Sequence, residues 1–181
     1  MSKDKTLGEV LRSQHVSRRG FLKFCAATAS MMALPPSMIP AIAQALEKAR
    51  RPSVIWLSFQ ECTGCTESLT RSHSPTLENL ILDTISLDYH HTIQSASGHA
   101  AEEAREHAMR EFYGEYLLMV DGSIPLAEGG AYSTIAGISN LDMLKECAEG
   151  AAAIVSVGTC AAYGGIPKAN PNPTGAVSVS D

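Results

Sequence analysis

The sequence predicts an α/β domain over residues 53–181, a doubly wound parallel sheet. Three observations predict it. Four short apolar runs recur, at residues 54–59, 84–89, 116–121 and 153–157, each bounded by polar residues or glycine. Helical patterns separate them. The runs are nearly continuous in apolar side chains rather than alternating, as expected of strands covered on both faces.

Each element follows from its residues. Residues 54–59 (Val-Ile-Trp-Leu-Ser-Phe) are β-branched, aromatic or aliphatic with one exception, which suits a pleated, buried strand. Residues 76–82 place Leu77, Leu80 and Ile81 at helical spacing, with acidic residues nearby. Residues 84–89 read as the second strand. Residues 100–112 are rich in Ala, Glu and Arg, all strong helix formers. Residues 116–121 (Tyr-Leu-Leu-Met-Val-Asp) read as the third strand. Residues 141–148 carry Leu141, Leu144 and Cys147 on one helical face, with Asn140 as the expected N-cap. Residues 153–157 are the fourth strand. Strand–helix alternation of this kind builds a parallel sheet between helices, here with a flavodoxin-like strand order.

The first 45 residues differ in character. They hold six of the 14 basic residues and two of the 19 acidic ones. The remainder therefore carries a net charge of −9. Such an acidic body disfavours nucleic acid as a partner, because phosphates need a basic footprint. Residues 1–23 are polar and basic, residues 24–34 are apolar, Pro35 and Pro36 follow, and Ala41-Ile42-Ala43 fits an A-x-A cleavage site. This is the three-part layout of a secretory signal. The apolar run is too short to span a bilayer, which takes about 20 residues. Extension to Ala45 meets Pro35, Pro36 and Pro40, which interrupt a helix.

Within the basic zone, Ser17-Arg18-Arg19-Gly20-Phe21-Leu22-Lys23 resembles the twin-arginine export signal, S-R-R-x-F-L-K, at each specified position. The resemblance implies export of a folded protein through the twin-arginine translocon, as needed when a cofactor is inserted before export. The expected organisation is a signal peptide at 1–43, a linker at 44–52, and the cofactor domain at 53–181. No closing element follows residues 178–181, so the domain is expected to continue past Asp181.

Cys25 leaves with the signal, so Cys62, Cys65, Cys147 and Cys160 remain. Cys62 and Cys65 form a C-x-x-C directly after the first strand. Cys160 directly follows the fourth, in Gly158-Thr159-Cys160. Ligands of open α/β sheets bind beyond the carboxyl ends of the strands. Both segments fall on that edge, so the fold brings three thiols towards one place. Cys147 sits on an apolar helix face and reads as a core residue. A C-x-x-C alone suits a metal cluster, half a zinc site or a thiol–disulfide enzyme. A third cysteine at the same edge and the flanking Gly64, Gly158, Gly164 and Gly165 favour the cluster.

Several segments together resemble the small subunits of nickel–iron hydrogenases. They are Val54-Ile55-Trp56-Leu57, Glu61-Cys62-Thr63-Gly64-Cys65-Thr66-Glu67-Ser68, Ile85-Ser86-Leu87-Asp88-Tyr89, Val120-Asp121-Gly122-Ser123-Ile124-Pro125, Gly158-Thr159-Cys160 and Pro171-Asn172-Pro173-Thr174-Gly175-Ala176-Val177. The match spans nearly the whole chain and is strongest with the membrane-associated uptake group, of hydrogenase-2 type. It implies that Cys62, Cys65 and Cys160 ligate a proximal [4Fe–4S] cluster, with the fourth ligand beyond Asp181. It implies further a [3Fe–4S] and a second [4Fe–4S] cluster in an absent C-terminal half. By the same resemblance, the nickel–iron site is expected in a large-subunit partner, and the electrons are expected to go on to a membrane cytochrome or an iron–sulfur quinone-reducing partner, with the complex periplasmic and attached to the cytoplasmic membrane. Oxygen-tolerant relatives carry two extra cysteines where this chain has Gly64 and Gly165, so the resemblance implies a conventional cubane and an oxygen-sensitive enzyme.

Other residues carry milder expectations. Glu61 and Glu67 flank the ligands as proton carriers, partner contacts or plain loop acids. His73 reads as a surface or interface residue, His90 and His91 as loop residues, and Trp56 as core. A related cluster-bearing subunit of NADH dehydrogenases is disfavoured, since it has adjacent cysteines and no export signal.

Overall fold

The computed structural model describes Thr6, residues 16–48 and residues 50–181. Lys3, Lys5 and Arg12 of the basic zone lie outside the described residues. The chain forms two compact units, residues 1–52 with 78–85, and residues 53–77 with 86–181.

The first unit is built on two helices, α1 (Arg18–Met31) and α2 (Ile39–Lys48). Ser17 caps α1, its Oγ accepting from the Gly20 N–H at 3.1 Å. Phe21, Cys25 and Ala29 recur at every fourth position and are buried with Ala43 of α2. The interruption expected at Pro35 and Pro36 occurs there, as a 3-10 turn over Pro36–Met38. Pro40 does not break α2, because it sits in the first turn, where the missing N–H has no helical partner. That helix runs through Ala41–Ala43 and on into the residues expected as linker.

The expected helix at 76–82 is a correction. A short turn, Leu77–Asn79, gives way to a π-helical turn, Leu80–Thr84. The Ile85 N–H reaches back five residues to the Leu80 carbonyl at 2.9 Å. The Arg51 guanidinium takes the Ile81 and Leu82 carbonyls, which leaves them less available to a regular α-ladder.

The second unit holds the sheet. Its strands are β1 (Ser53–Ser58), β2 (Ser86–His90), β3 (Tyr116–Asp121) and β4 (Ala151–Val157), in the order β2-β1-β3-β4. All three pairings are parallel, as the apolar runs predict. The order matches the first four strands of the flavodoxin arrangement. Register sets Trp56 beside His90, Ser58 beside Asp121, and Asp121 beside Val157. Helices α3 (Gly64–Thr70), α4 (His99–Glu111), α5 (Asn140–Glu149), α6 (Gly158–Tyr163) and α7 (Gly165–Lys168) complete it. Ile55, Leu57, Leu118 and Val120 are fully buried, each aliphatic side chain contributing about 1.5–3 kcal/mol by leaving water.

Three further expectations change. The strand cover is incomplete, because Ile154 and Val155 of β4 are 45% and 40% exposed. Among the described residues β4 pairs only with β3. The cap of α5 is Ser139, whose Oγ accepts from the Asp142 N–H at 3.1 Å, while Asn140 is fully buried. His90 is no loop residue: it ends β2, fully buried, with its ring stacked on Trp56 at 5.2 Å between centroids.

Composition gives no warning of a buried arginine. Arg105 on α4 is 2% exposed. Its guanidinium donates to Glu102 at 3.0 Å, Glu146 at 3.1 Å and the Cys147 sulfur at 3.3 Å. Tyr89 donates to the other Glu102 oxygen at 3.0 Å, which ties β2 to the same network. Cys147 is thus the core residue expected, with an arginine as its unexpected neighbour.

Candidate metal centre

The ends of β1 and β4 bring the cysteines together. Beyond β1 the chain stays bound to the end of β3 for two more residues. The Phe59 N–H donates to the Asp121 carbonyl at 2.8 Å, and Gln60 and Ser123 exchange both backbone bonds at 3.1 and 2.9 Å. The chain then departs at Glu61. Thr63 turns it through a left-handed conformation, φ +65°, rare for a residue with a side chain. Helix α3 starts at Gly64 and carries Cys65 in its first turn. On the other side, β4 ends at Val157, Gly158 turns the chain with φ +76°, and α6 carries Cys160.

These two arms meet. The Cys65 thiol donates to the Val157 carbonyl at 3.7 Å, across 92 residues of sequence. Cys62, Cys65 and Cys160 are free thiols and line one cavity of about 530 Å³. Cys62 is exposed, and the other two are partly buried. Glu61 and Ile166 complete much of the wall.

A glycine stands against each thiol. A Cβ on Gly64 would lie 3.1 Å from the Cys62 sulfur, one on Gly158 2.4 Å from Cys65, and one on Gly165 2.6 Å from Cys160. Gly158 and Gly165 also have positive φ, +76° and +53°, so a side chain is disfavoured twice over. The sulfurs therefore face backbone in a cradle that any side chain would fill. That space suits a bulky inorganic group whose sulfur atoms accept from nearby backbone N–H groups. Among the described residues no three His, Cys, Asp or Glu side chains converge on a single ion. The three thiols stand around a space rather than a point.

Burial pushes the Cys65 thiol up from its usual pKa, followed by the negative charge of Asp121, Cys160, Cys62 and Glu61. A cationic metal group would reverse the penalty here by stabilising the thiolate.

The remaining candidates fall into place individually. Burial, then Asp121, pushes the Glu61 carboxyl up, and its Oε2 is buried without a hydrogen-bond partner. Glu67 is exposed and pairs with Arg71 at 2.6 Å. His73 is exposed. Trp56 is core, as expected, but its indole nitrogen is buried without a hydrogen-bond partner.

Asp121 is the residue the sequence argument passed over. It ends β3, is fully buried, and neither oxygen has a hydrogen-bond partner. Burial pushes its carboxyl up. Ser58 and Trp56 lie near enough to oppose that, though neither meets hydrogen-bond geometry, and His91 opposes it as well. The available signal was an acidic residue closing an otherwise apolar strand.

Comparison with known proteins agrees with the geometry. The family described as NADH ubiquinone oxidoreductase, 20 Kd subunit, matches residues 62–181, from the first cavity cysteine onward. The Hydrogenase-2 small chain of Escherichia coli (strain K12) is 47% identical over 181 residues, covering 100% of this chain and 48% of its own length. The periplasmic [NiFe] hydrogenase small subunit of Solidesulfovibrio fructosivorans is 48% identical over 166 residues, or 92% of this chain and 52% of its own. Among solved structures, the oxidised [NiFeSe] hydrogenase of Desulfovibrio vulgaris Hildenborough superposes with a TM-score of 0.69 at 41% identity, over 73% of this chain and 48% of that one. The chain spans about half the length of the relatives it matches.

Proposed function

Because this chain belongs to the NADH ubiquinone oxidoreductase 20 Kd subunit family, and its relatives there are hydrogenase small subunits, we propose that it carries electrons for a nickel–iron hydrogenase. The observation that supports this reading best is the cavity itself. Three thiols reach it from two strand ends, each backed by glycine. Thiols placed around a volume suit a cluster whose separate irons each take one thiolate.

In this reading Cys62, Cys65 and Cys160 hold three corners of a proximal [4Fe–4S] cluster, and the fourth ligand comes from outside residues 1–181. The bound cluster supplies one-electron carriage. The chain's residues do the rest. The glycines let backbone approach the sulfurs, Ile166 and Ala169 stand on the open wall, and the acidic neighbours Glu61 and Asp121 set the local charge. The nickel–iron large subunit splits hydrogen and delivers the electrons. They would continue through a [3Fe–4S] and a second [4Fe–4S] cluster outside this stretch to a membrane-bound, quinone-linked acceptor. The complex works in the periplasm after folded export directed by Arg18 and Arg19. With Gly64 and Gly165 in place of extra cysteines, hydrogen oxidation is lost in air; undiminished aerobic activity would contradict that.

The test is iron and acid-labile sulfide content, with electron paramagnetic resonance after reduction. It uses the full-length subunit purified anaerobically with its large-subunit partner. Matching iron and sulfide, with loss of the proximal signal in Cys160→Ser, is the expected result. Iron-free protein with a titratable Cys62–Cys65 disulfide would overturn the reading in favour of thiol chemistry.

A further inference from the structure

Electron carriage by three thiolates leaves the buried polar groups behind the cavity without a task. Asp121 is their hub. The parallel register puts Ser58 beside it, two residues beyond Trp56 on β1. The Trp56 indole N–H, the Ser58 hydroxyl, Nδ1 of His91 and both Asp121 oxygens are all buried without hydrogen-bond partners. The titratable groups facing Asp121 are Glu61 from the loop after β1, Cys65 from α3 and His91 from the end of β2. On its β4 side stands Val157, which cannot ionise. The charge that most opposes the rise is that of His91, not of a Lys or Arg.

A buried carboxylate with no cationic partner is costly, and protonation removes the cost. The balance depends on the charge nearby. The Cys65 thiol of the cavity donates at 3.7 Å to the carbonyl of Val157, the β4 neighbour of Asp121, and is the group through which a change of charge would be felt. An added electron there is an added negative charge in a low-dielectric setting, which favours the neutral acid. Linkage makes the effect reciprocal: a proton on the carboxyl must ease arrival of the electron by the same free energy.

We propose that Asp121 is the proton-holding partner of the cysteine cavity, taking up one proton as the group held by Cys62, Cys65 and Cys160 gains one electron. This rests on the cluster reading above. The step balances. One electron arrives from hydrogen oxidation in the partner subunit, and one of the protons released by that oxidation adds to a carboxylate oxygen of Asp121, giving the acid. Reoxidation returns both. The cysteine–iron bonds do not change. Asp121 is thus a positioning residue for charge, and it touches no reacting atom.

The experiment is a redox titration of the proximal cluster, followed by electron paramagnetic resonance at a series of pH values, on the assembled holoenzyme. The expected potential falls with rising pH, towards about 59 mV per pH unit, the value for one proton per electron. Asp121→Asn removes the slope while leaving the signal shape unchanged. A flat wild-type profile overturns the proposal without any variant, as does a slope that survives in Asp121→Asn. Should that variant fail to assemble, infrared difference spectra of the wild type decide. A protonated-carboxyl band that appears on reduction and shifts in deuterium oxide supports the proposal, and its absence overturns it. Loss of the cluster signal altogether in wild-type protein is a separate outcome, which removes the cluster reading and this inference with it.

Discussion

Gly158 leaves no room for a side chain against Cys65: a Cβ there would lie 2.4 Å from the sulfur, on a backbone with φ +76°. Gly158→Ala must therefore displace the thiol, and strain adds about 1–2 kcal/mol. The expected result is a roughly 10- to 100-fold loss of activity or metal affinity, measured as hydrogen oxidation and iron per chain. Full iron occupancy in the variant would show that the cradle is not needed.

Arg105→Met should destabilise the sheet unit without touching the cavity. It takes the cationic partner from Glu102 (18% exposed), which keeps only the Tyr89 hydroxyl, and removes the donor to Cys147. Glu146 is 46% exposed and can turn to water, so the cost falls near the low end for broken buried pairs, about 3 kcal/mol. Denaturant titration of the assembled protein reads the loss. Iron content should stay the same, whereas a fall in iron at unchanged stability would speak against a purely structural network.

Acid should weaken the fold through His90. Burial, and then the charge of His91, depresses its pKa from the usual 6.5 to about 4. As pH falls, the unfolded chain takes this proton first. The stability from neutral His90 is complete above 6.5, is lost progressively down to about 4, and then levels. The total is about 3 kcal/mol. His90→Phe keeps a ring against Trp56 and should flatten that part of the stability–pH curve. An unchanged slope would assign the effect to another group.

Arg18 and Arg19 are exposed on the first turn of α1. Joint replacement by lysine keeps both charges and loses the guanidinium geometry. The expected outcome is assembled, active enzyme retained on the cytoplasmic side. Fractionation followed by hydrogen-oxidation assay measures it, and normal export would remove the twin-arginine assignment.

The parts of this fold readable in sequence are those written in local pattern. The strand at 116–121 lies where its apolar run predicts, and the other three shift by one or two residues at their ends. The meeting of Cys62, Cys65 and Cys160 was readable because parallel sheets collect the residues after their strands at one edge. What was not readable depends on partners distant in sequence. Arg105 looks like an ordinary helix-surface residue until Glu146 and Cys147 arrive from α5. His90 looks like a loop residue until Trp56 stacks on it. The π turn at Leu80–Thr84 depends on Arg51, 30 residues upstream of Ile81. Glycines at 64, 158 and 165 were visible, but their one-to-one match with the thiols is a property of the fold.

The open strand β4 carries a consequence for biogenesis. Its outer N–H and C=O groups lack a described strand partner, and Ile154 and Val155 lie exposed on it. Such an edge is a template for any other extended chain. A strand from outside residues 1–181, or from a partner, that pairs there buries Ile154 and Val155 and satisfies those groups, and until it does the edge stays open to other extended chains. Co-expression with whatever covers this edge should raise the soluble fraction, where lowering the temperature alone would not.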